Sequence, residues 1–439
     1  MTQNTFSTPN SAALASNIEK FEIASNYNKT LDVSVGTVQV QYFESILDYT
    51  VRVSATIIDT GYRSNGPGAN VFEEEDLKLT GGEKVNLILA DNFDQKLDFS
   101  NLRIKKIRDI VEHTQQVVYT LDLWSQECED NELVKCRVTK RYDGKVSDSV
   151  RKILTEVLKT KKVIDVDTTA NEFPFLGRLE KPFYKCTWLA KRCIPQLNGT
   201  KGKTAGYFFY ETADGYKFKS IDNLWAQTPK RRLIYTNTPS LPDEYDAKIL
   251  EYYFDNTIDV EQSMATGAMF KSELQATNFY DNKPRKNELS HEQQQNSSSM
   301  GGLEHPKLGA DRNLQNEATR ITVKFDKKGV LPPGKTLKNQ LEKSKENDYN
   351  IDEITRQAYM RYNQLFTYKL SLTIPGDFGL RAGDVVYCDF PEISSKNMKL
   401  VSQKKSGLYM IVDLSHLITT NKTFTKLNLV RDSIGRKPF

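Results

Sequence analysis

The chain has 439 residues, with 61 Lys and Arg against 57 Asp and Glu, for a formal net charge of +4. At 38% hydrophobic and 27% charged it has ordinary globular composition, and its length suits roughly two to four domains. The near balance of charge argues against a dedicated nucleic-acid binder, which carries a basic excess or stripe. Five cysteines, Cys128, Cys136, Cys186, Cys193 and Cys388, show no C-x-x-C spacing, and the four histidines are scattered. No zinc site is expected, and the thiols read as small, reduced core groups. The first twenty residues are polar and no apolar run has transmembrane length, so a chain made and kept in a cytosol until assembly is expected.

Residues 1–35 show little pattern and are read as an N-terminal arm. Across 36–127 the segments VQVQYF, YTVRVSATIID, KVNLILA and QVVYTLDLW alternate apolar and polar residues. Turn residues separate them (Asn65-Gly66-Pro67-Gly68 and Gly81-Gly82), as in a β-barrel or sandwich. The period changes in 128–244, read as the first part of an inserted α/β domain. There SDSVRKILTEVLKT sets Val150, Ile153, Leu154, Val157 and Leu158 at helical spacing behind Ser147 as N-cap. AGYFFYETADGYKFKSI reads as a hairpin turning at Asp214-Gly215.

Strand pattern returns in 245–282, with KILEYYF and AMFKSELQATNF. Residues 283–363 read as a second insertion. Its polar part, 283–312, contains HEQQQNSSSMGG and is expected to be a mobile loop. Its helix sets Ile351, Ile354, Ala358, Tyr362 and Leu365 on one face. Residues 364–435 are mostly strand.

The two strand-rich regions resemble each other. LTGGEKVNL (79–87) matches LRAGDVVYC (380–388) as Leu, any residue, small, Gly, acidic, any residue, Val. Ile107, Asp109 and Ile110 then match Ile411, Asp413 and Leu414. Leu121 and Leu123 match Leu427 and Leu429. Same order and similar spacing suggest one β domain occurring twice. LYMIVD (408–413) is apolar at both strand faces. Such a strand either lies deep in a domain or contacts another subunit, so Tyr409, Ile411 and Asp413 are candidates for an inter-subunit interface with an ordinary core strand as the alternative, and His416 reads as a strand histidine at the same interface.

Catalytic readings are weak. Residues 329–336, GVLPPGKT, match the phosphate-binding loop G-x-x-x-x-G-K-[ST]. Such a loop points successive backbone N–H groups at the anion, and Pro332 and Pro333 have none. Ser415 and His416 are adjacent in a strand and point to opposite faces, so Asp413, Ser415 and His416 do not form a triad. The basic runs Lys230-Arg231-Arg232 and Lys404-Lys405 read as solvated loops. The aromatic hairpin residues Tyr207, Phe208, Phe209, Tyr210, Tyr216 and Phe218 read as core or protein interface rather than a base-stacking platform. The acids Glu73, Glu74, Glu75 and Asp76 form a solvated run that would face the channel if the first β domain lines one.

Three segments carry a family resemblance: AGYFFYETADGYKFKSIDNLW (205–225), LFTYKLSLTIPGDFGLRAGDVVYCDFP (365–391) and SGLYMIVDLSHLITTNKTFTKLNLVRDSIG (406–435). They resemble the baseplate hub proteins of T4-like contractile-tailed phages, cyanophage types included. The resemblance implies a β-rich α+β fold with two tail-tube-like β-barrel domains and an inserted α/β domain. It implies a homotrimer whose six tube-like domains continue the tail tube. The implied partners are the tail tube protein, a central spike that in some phages carries a lysozyme, and other baseplate proteins. DNA would be met only in passage. The implied setting is the virion tail baseplate, assembled in the bacterial host cytoplasm, with no cofactor and no enzymatic activity. The competing expectations are a tail-associated wall hydrolase, a host-binding or fibre-attachment module and a nucleotide hydrolase.

Overall fold

Apolar-polar alternation builds the first sheet of the computed structural model. The structure describes residues 13–60, 62–63, 66–67, 78–93, 95–197, 200–201, 204–238, 240–255, 258–267, 270–278, 284–289, 300–326, 351–392 and 401–436. Strands β1 (Asn17–Ala24), β2 (Thr37–Ser45), β3 (Arg52–Asp59), β4 (Lys84–Ala90), β5 (Lys96–His113) and β6 (Gln116–Ser125) come first. Each turns one row inward: Val40 and Tyr42 from β2, Val53, Ala55 and Ile57 from β3, Leu87 and Leu89 from β4, Leu121 and Leu123 from β6. Their spatial order is β2-β3-β6-β5-β4-β1, every neighbour antiparallel. β1 lies inside the expected arm. Its apolar signal is short, with only Phe21 and Ile23 fully buried, and pairing with β4 supplies the rest.

The period then shifts and a second core forms. Helix α1 (Val146–Lys152), strand β7 (Ile164–Val166), helix α2 (Pro182–Ala190) and the hairpin strands β8 (Tyr207–Thr212) and β9 (Gly215–Ser220) enclose it. Val150, Ile153, Leu154, Phe183, Leu189 and Phe218 are among its buried residues. Lys145 rather than Ser147 precedes α1. Ser147 lies inside the helix, where its amide N–H donates to Thr169 Oγ1 at 3.1 Å. The hairpin loop is Ala213-Asp214, and Gly215 opens β9. A Cβ on Gly215 would lie 2.3 Å from the Val163 carbonyl oxygen, and its φ is +123°, so only glycine fits there.

Strands β10 (Arg232–Ile234) and β11 (Glu251–Asp255) return to the large sheet. Strands β12 (Lys271–Asn278), β13 (Pro284–Leu289) and β14 (Ala318–Asp326) form a separate three-stranded sheet, ordered β13-β12-β14. SELQATN, read from sequence with the second β domain, therefore lies outside the large sheet. Helix α3 (Ile351–Leu365) follows, and Ile354, Ala358 and Leu365 are buried as the spacing predicts. The chain ends in β15 (Tyr368–Pro375), β16 (Val385–Asp389), β17 (Gly407–Thr419) and β18 (Thr423–Arg431).

The molecule is thus β-rich, with a 14-stranded mixed sheet and few helices. One contiguous apolar core runs from Phe21 to Leu429 across both strand sets. The five cysteines are buried and unpaired. Among the described residues, no helix is long and apolar enough to cross a membrane.

Candidate functional site

Five strands of the second set repeat the order of five in the first. The first runs β2-β3-β6-β5-β4; the second runs β11-β15-β18-β17-β16, again antiparallel throughout. The sixth members differ, since β10 is parallel to β16 whereas β1 is antiparallel to β4. Within each set a Gly-acidic turn docks the same way. Gly82 N–H donates to Ile104 O at 2.8 Å, and Ile104 N–H donates to Glu83 O at 3.0 Å. Gly383 N–H donates to Ile411 O at 2.8 Å, and Ile411 N–H donates to Asp384 O at 2.9 Å.

Both glycines have positive φ, +81° and +90°. A one-residue bulge follows in each set. It lies between Ile104 and Lys106 against β6, and between Ile411 and Asp413 against β18. Ile411 therefore corresponds to Ile104, and Leu414 to Ile107. The sequence comparison paired Ile411 with Ile107. The left-handed Asp109 and a second irregularity between Arg108 and Val111 lengthen β5 and obscure the register.

The two sets meet where β17 pairs with β2, from Asp413 opposite Ser45 to Thr419 opposite Gln39. Ile46 N–H extends the contact to Val412 O at 2.9 Å. Glu44 anchors this junction from beneath. Its carboxylate accepts from the Tyr42 hydroxyl at 2.5 Å, Ala213 N–H at 2.8 Å and Ala382 N–H at 2.9 Å. One buried side chain thereby holds β2, the β8–β9 loop and the Gly383 turn together. Burial pushes its carboxyl above the ordinary value, against the pull of Arg381 and its donors. Glu211 acts similarly, accepting from Val51 N–H at 3.1 Å and pairing with Lys162 at 2.5 Å.

Three of the four interface candidates are sealed inside the chain. Tyr409, Ile411 and His416 are at most 1% exposed, so they have no surface to offer another subunit. His416 stacks on Tyr42, meets the edge of Phe378 and bonds Thr425 Oγ1 through Nδ1 at 2.9 Å. Burial, with Arg381 nearby, lowers its pKa to about 3. Asp413 is partly exposed and accepts from Ser45 Oγ at 2.6 Å and Asn428 Nδ2 at 3.2 Å. The apolar character of β17 on both faces has an internal cause. Ile411 and Leu414 face the large core, whereas Met410 and Val412 face a smaller cluster with Phe208, Trp225 and Leu365.

Among the described residues, the catalytic candidates read from sequence do not come together. Ser415 Oγ accepts from Gln41 while His416 points inward, so no triad forms. The hairpin aromatics are buried at 0–7% exposure and cannot stack on bases. Residues 329–336 and the acids Glu73, Glu74, Glu75 and Asp76 lie outside the described residues. Among the described residues no His, Cys, Asp and Glu cluster could hold a metal ion. A groove of about 550 Å³ lies beside α2 and α3, lined largely by aromatic and apolar side chains including Tyr184, Phe208, Tyr359 and Phe366.

No protein-family model and no curated protein matches the sequence. Solved structures do. The tail protein from Neisseria meningitidis MC58 is 12% identical, with 94% of this chain and 96% of that chain covered at a TM-score of 0.50. The 43 kDa tail protein of prophage MuSo2 from Shewanella oneidensis is 10% identical, with 94% and 98% covered, also at 0.50. The chain shares the fold of these tail proteins over nearly its whole length.

Proposed function

We propose that this chain is a structural baseplate hub subunit of a phage contractile tail. It joins the six-fold tail tube to the three-fold central spike and forms part of the DNA channel. One observation carries the reading: a single chain holds two five-strand sets of the same order, each with the same glycine-acid dock. Three such chains present six similar units to a six-fold ring and keep three-fold symmetry towards the spike. We assign β2–β6 to the first tube-like domain and β11 with β15–β18 to the second. The intervening α/β core is the insertion. The fold shared with two tail proteins supports this reading. The function is geometric matching, and no step of it needs catalysis.

Light scattering on the purified full-length chain, alone and with the spike, tests the proposal. Three chains per particle are expected, formed alone or with the spike. A stable hexamer of chains, or a monomer under both conditions, overturns it.

A further inference from the structure

We infer that a second copy of this chain adds its strand β11 to the distal half of β5, repeating between chains the β17–β2 junction that each chain makes internally. This deepens the hub reading and rests on it. β17 is filled along one edge in two parts: Gly407–Met410 pair with β16, and Asp413–Thr419 pair with β2. Its counterpart β5 is filled only in the first part, by β4 as far as Arg103. Among the described residues, no strand pairs with that edge of β5 beyond Arg103. The missing partner is the counterpart of β2, which is β11. β11 pairs only with β15, so its outer edge is also open among the described residues. Among the described residues, each chain therefore has one open strand of each kind. They are unlike surfaces, so joining them is head-to-tail and builds a ring from successive copies.

The side chains fit this partner. Exposed apolar residues lie at Ile110 and Val111 on β5 and at Tyr253 on β11, the last 68% exposed. The distal half of β5 carries Lys105, Lys106 and Arg108 against Asp109 and Glu112, a small cationic excess, whereas β11 carries Glu251 and Asp255 and no cation. The internal junction sets the register. It places Ser415 opposite Phe43, Leu417 opposite Gln41 and Thr419 opposite Gln39. Carried over through the matched strands, Arg108 faces Asp255, Val111 faces Tyr253 and His113 faces Glu251. The one charge-charge and one apolar-apolar match fall on the same outward face. Arg108 now pairs with Asp122 at 2.9 Å, and Asp255 lies 4.0 Å from Lys369. Lysines and a left-handed Asp109 on the open edge also disfavour pairing with unrelated strands.

The test is a full-length chain carrying both Val111→Cys and Tyr253→Cys. Directly opposed residues of an antiparallel pair have Cα atoms about 4.5–5.5 Å apart, within disulfide reach. The native cysteines are buried and do not compete. On oxidation the double variant is expected to yield covalent dimers and trimers, and each single variant none. Arg108→Asp or Asp255→Arg alone should weaken assembly by about tenfold, and the two together should restore it. A particle that assembles by light scattering but fails to cross-link, with no charge-exchange rescue, overturns the strand assignment and leaves the hub reading standing. A chain that stays monomeric with and without the spike overturns both.

Discussion

Glu44 concentrates three hydrogen bonds on one carboxylate, two of them buried and one part-buried. Glu44→Ala would leave two backbone amides and a tyrosine hydroxyl without acceptors. Each unsatisfied group costs about 1–3 kcal/mol, so a loss of at least about 3 kcal/mol in denaturant unfolding is expected. Glu44→Gln keeps one acceptor oxygen and should lose less. His416 makes a pH prediction. Its folded pKa is lowered to about 3 from 6.5, so below about pH 6.5 the unfolded chain binds a proton that the folded chain refuses. This contribution to stability is present above pH 6.5 and is lost as pH falls towards 3, at up to about 1.4 kcal/mol per pH unit. Unfolding midpoints at pH 7 and pH 4.5 should diverge more for the natural chain than for His416→Phe. Equal pH dependence would remove His416 as the cause.

At the level of elements, the two docked turns share a backbone and differ in surroundings. Gly82 has nothing within 4 Å of where a Cβ would stand, whereas at Gly383 the Tyr210 hydroxyl would lie 2.4 Å away. Gly82→Ala should cost only the left-handed strain, about 1–2 kcal/mol. Gly383→Ala should cost distinctly more, because Tyr210 is itself buried. Thermal unfolding of the two variants gives the comparison. Much of the element structure was legible in sequence. Helix α3 declared itself through Ile354, Ala358 and Leu365, and β3 through Val53, Ala55 and Ile57. β1 was not legible, because two buried residues make too short a pattern. Ser147 misled as a cap because a serine before an apolar run looks the same whether it begins a turn or lies in it. The register of β5 was hidden by residues that a bulge inserts without altering composition.

For the molecule as a whole, the repeat could be seen in sequence but its joint could not. Pairing of β17 with β2 spans more than 350 residues, and nothing in either segment names the other. The interface candidates Tyr409 and Ile411 belong to a strand with a real property, apolarity on both faces. An internal second cluster explains it equally well, and sequence cannot distinguish the two. Because a single core crosses the joint, tryptophan fluorescence and far-ultraviolet dichroism should report one coincident unfolding transition. Two separated transitions would mean that the strand sets are independent.

The bulge at Val412 lets one strand serve two interiors at once. Such a strand cannot slide along one of them without emptying the other. Shear across the joint would therefore have to break both interiors together, so the two strand sets resist sliding and spreading as one body.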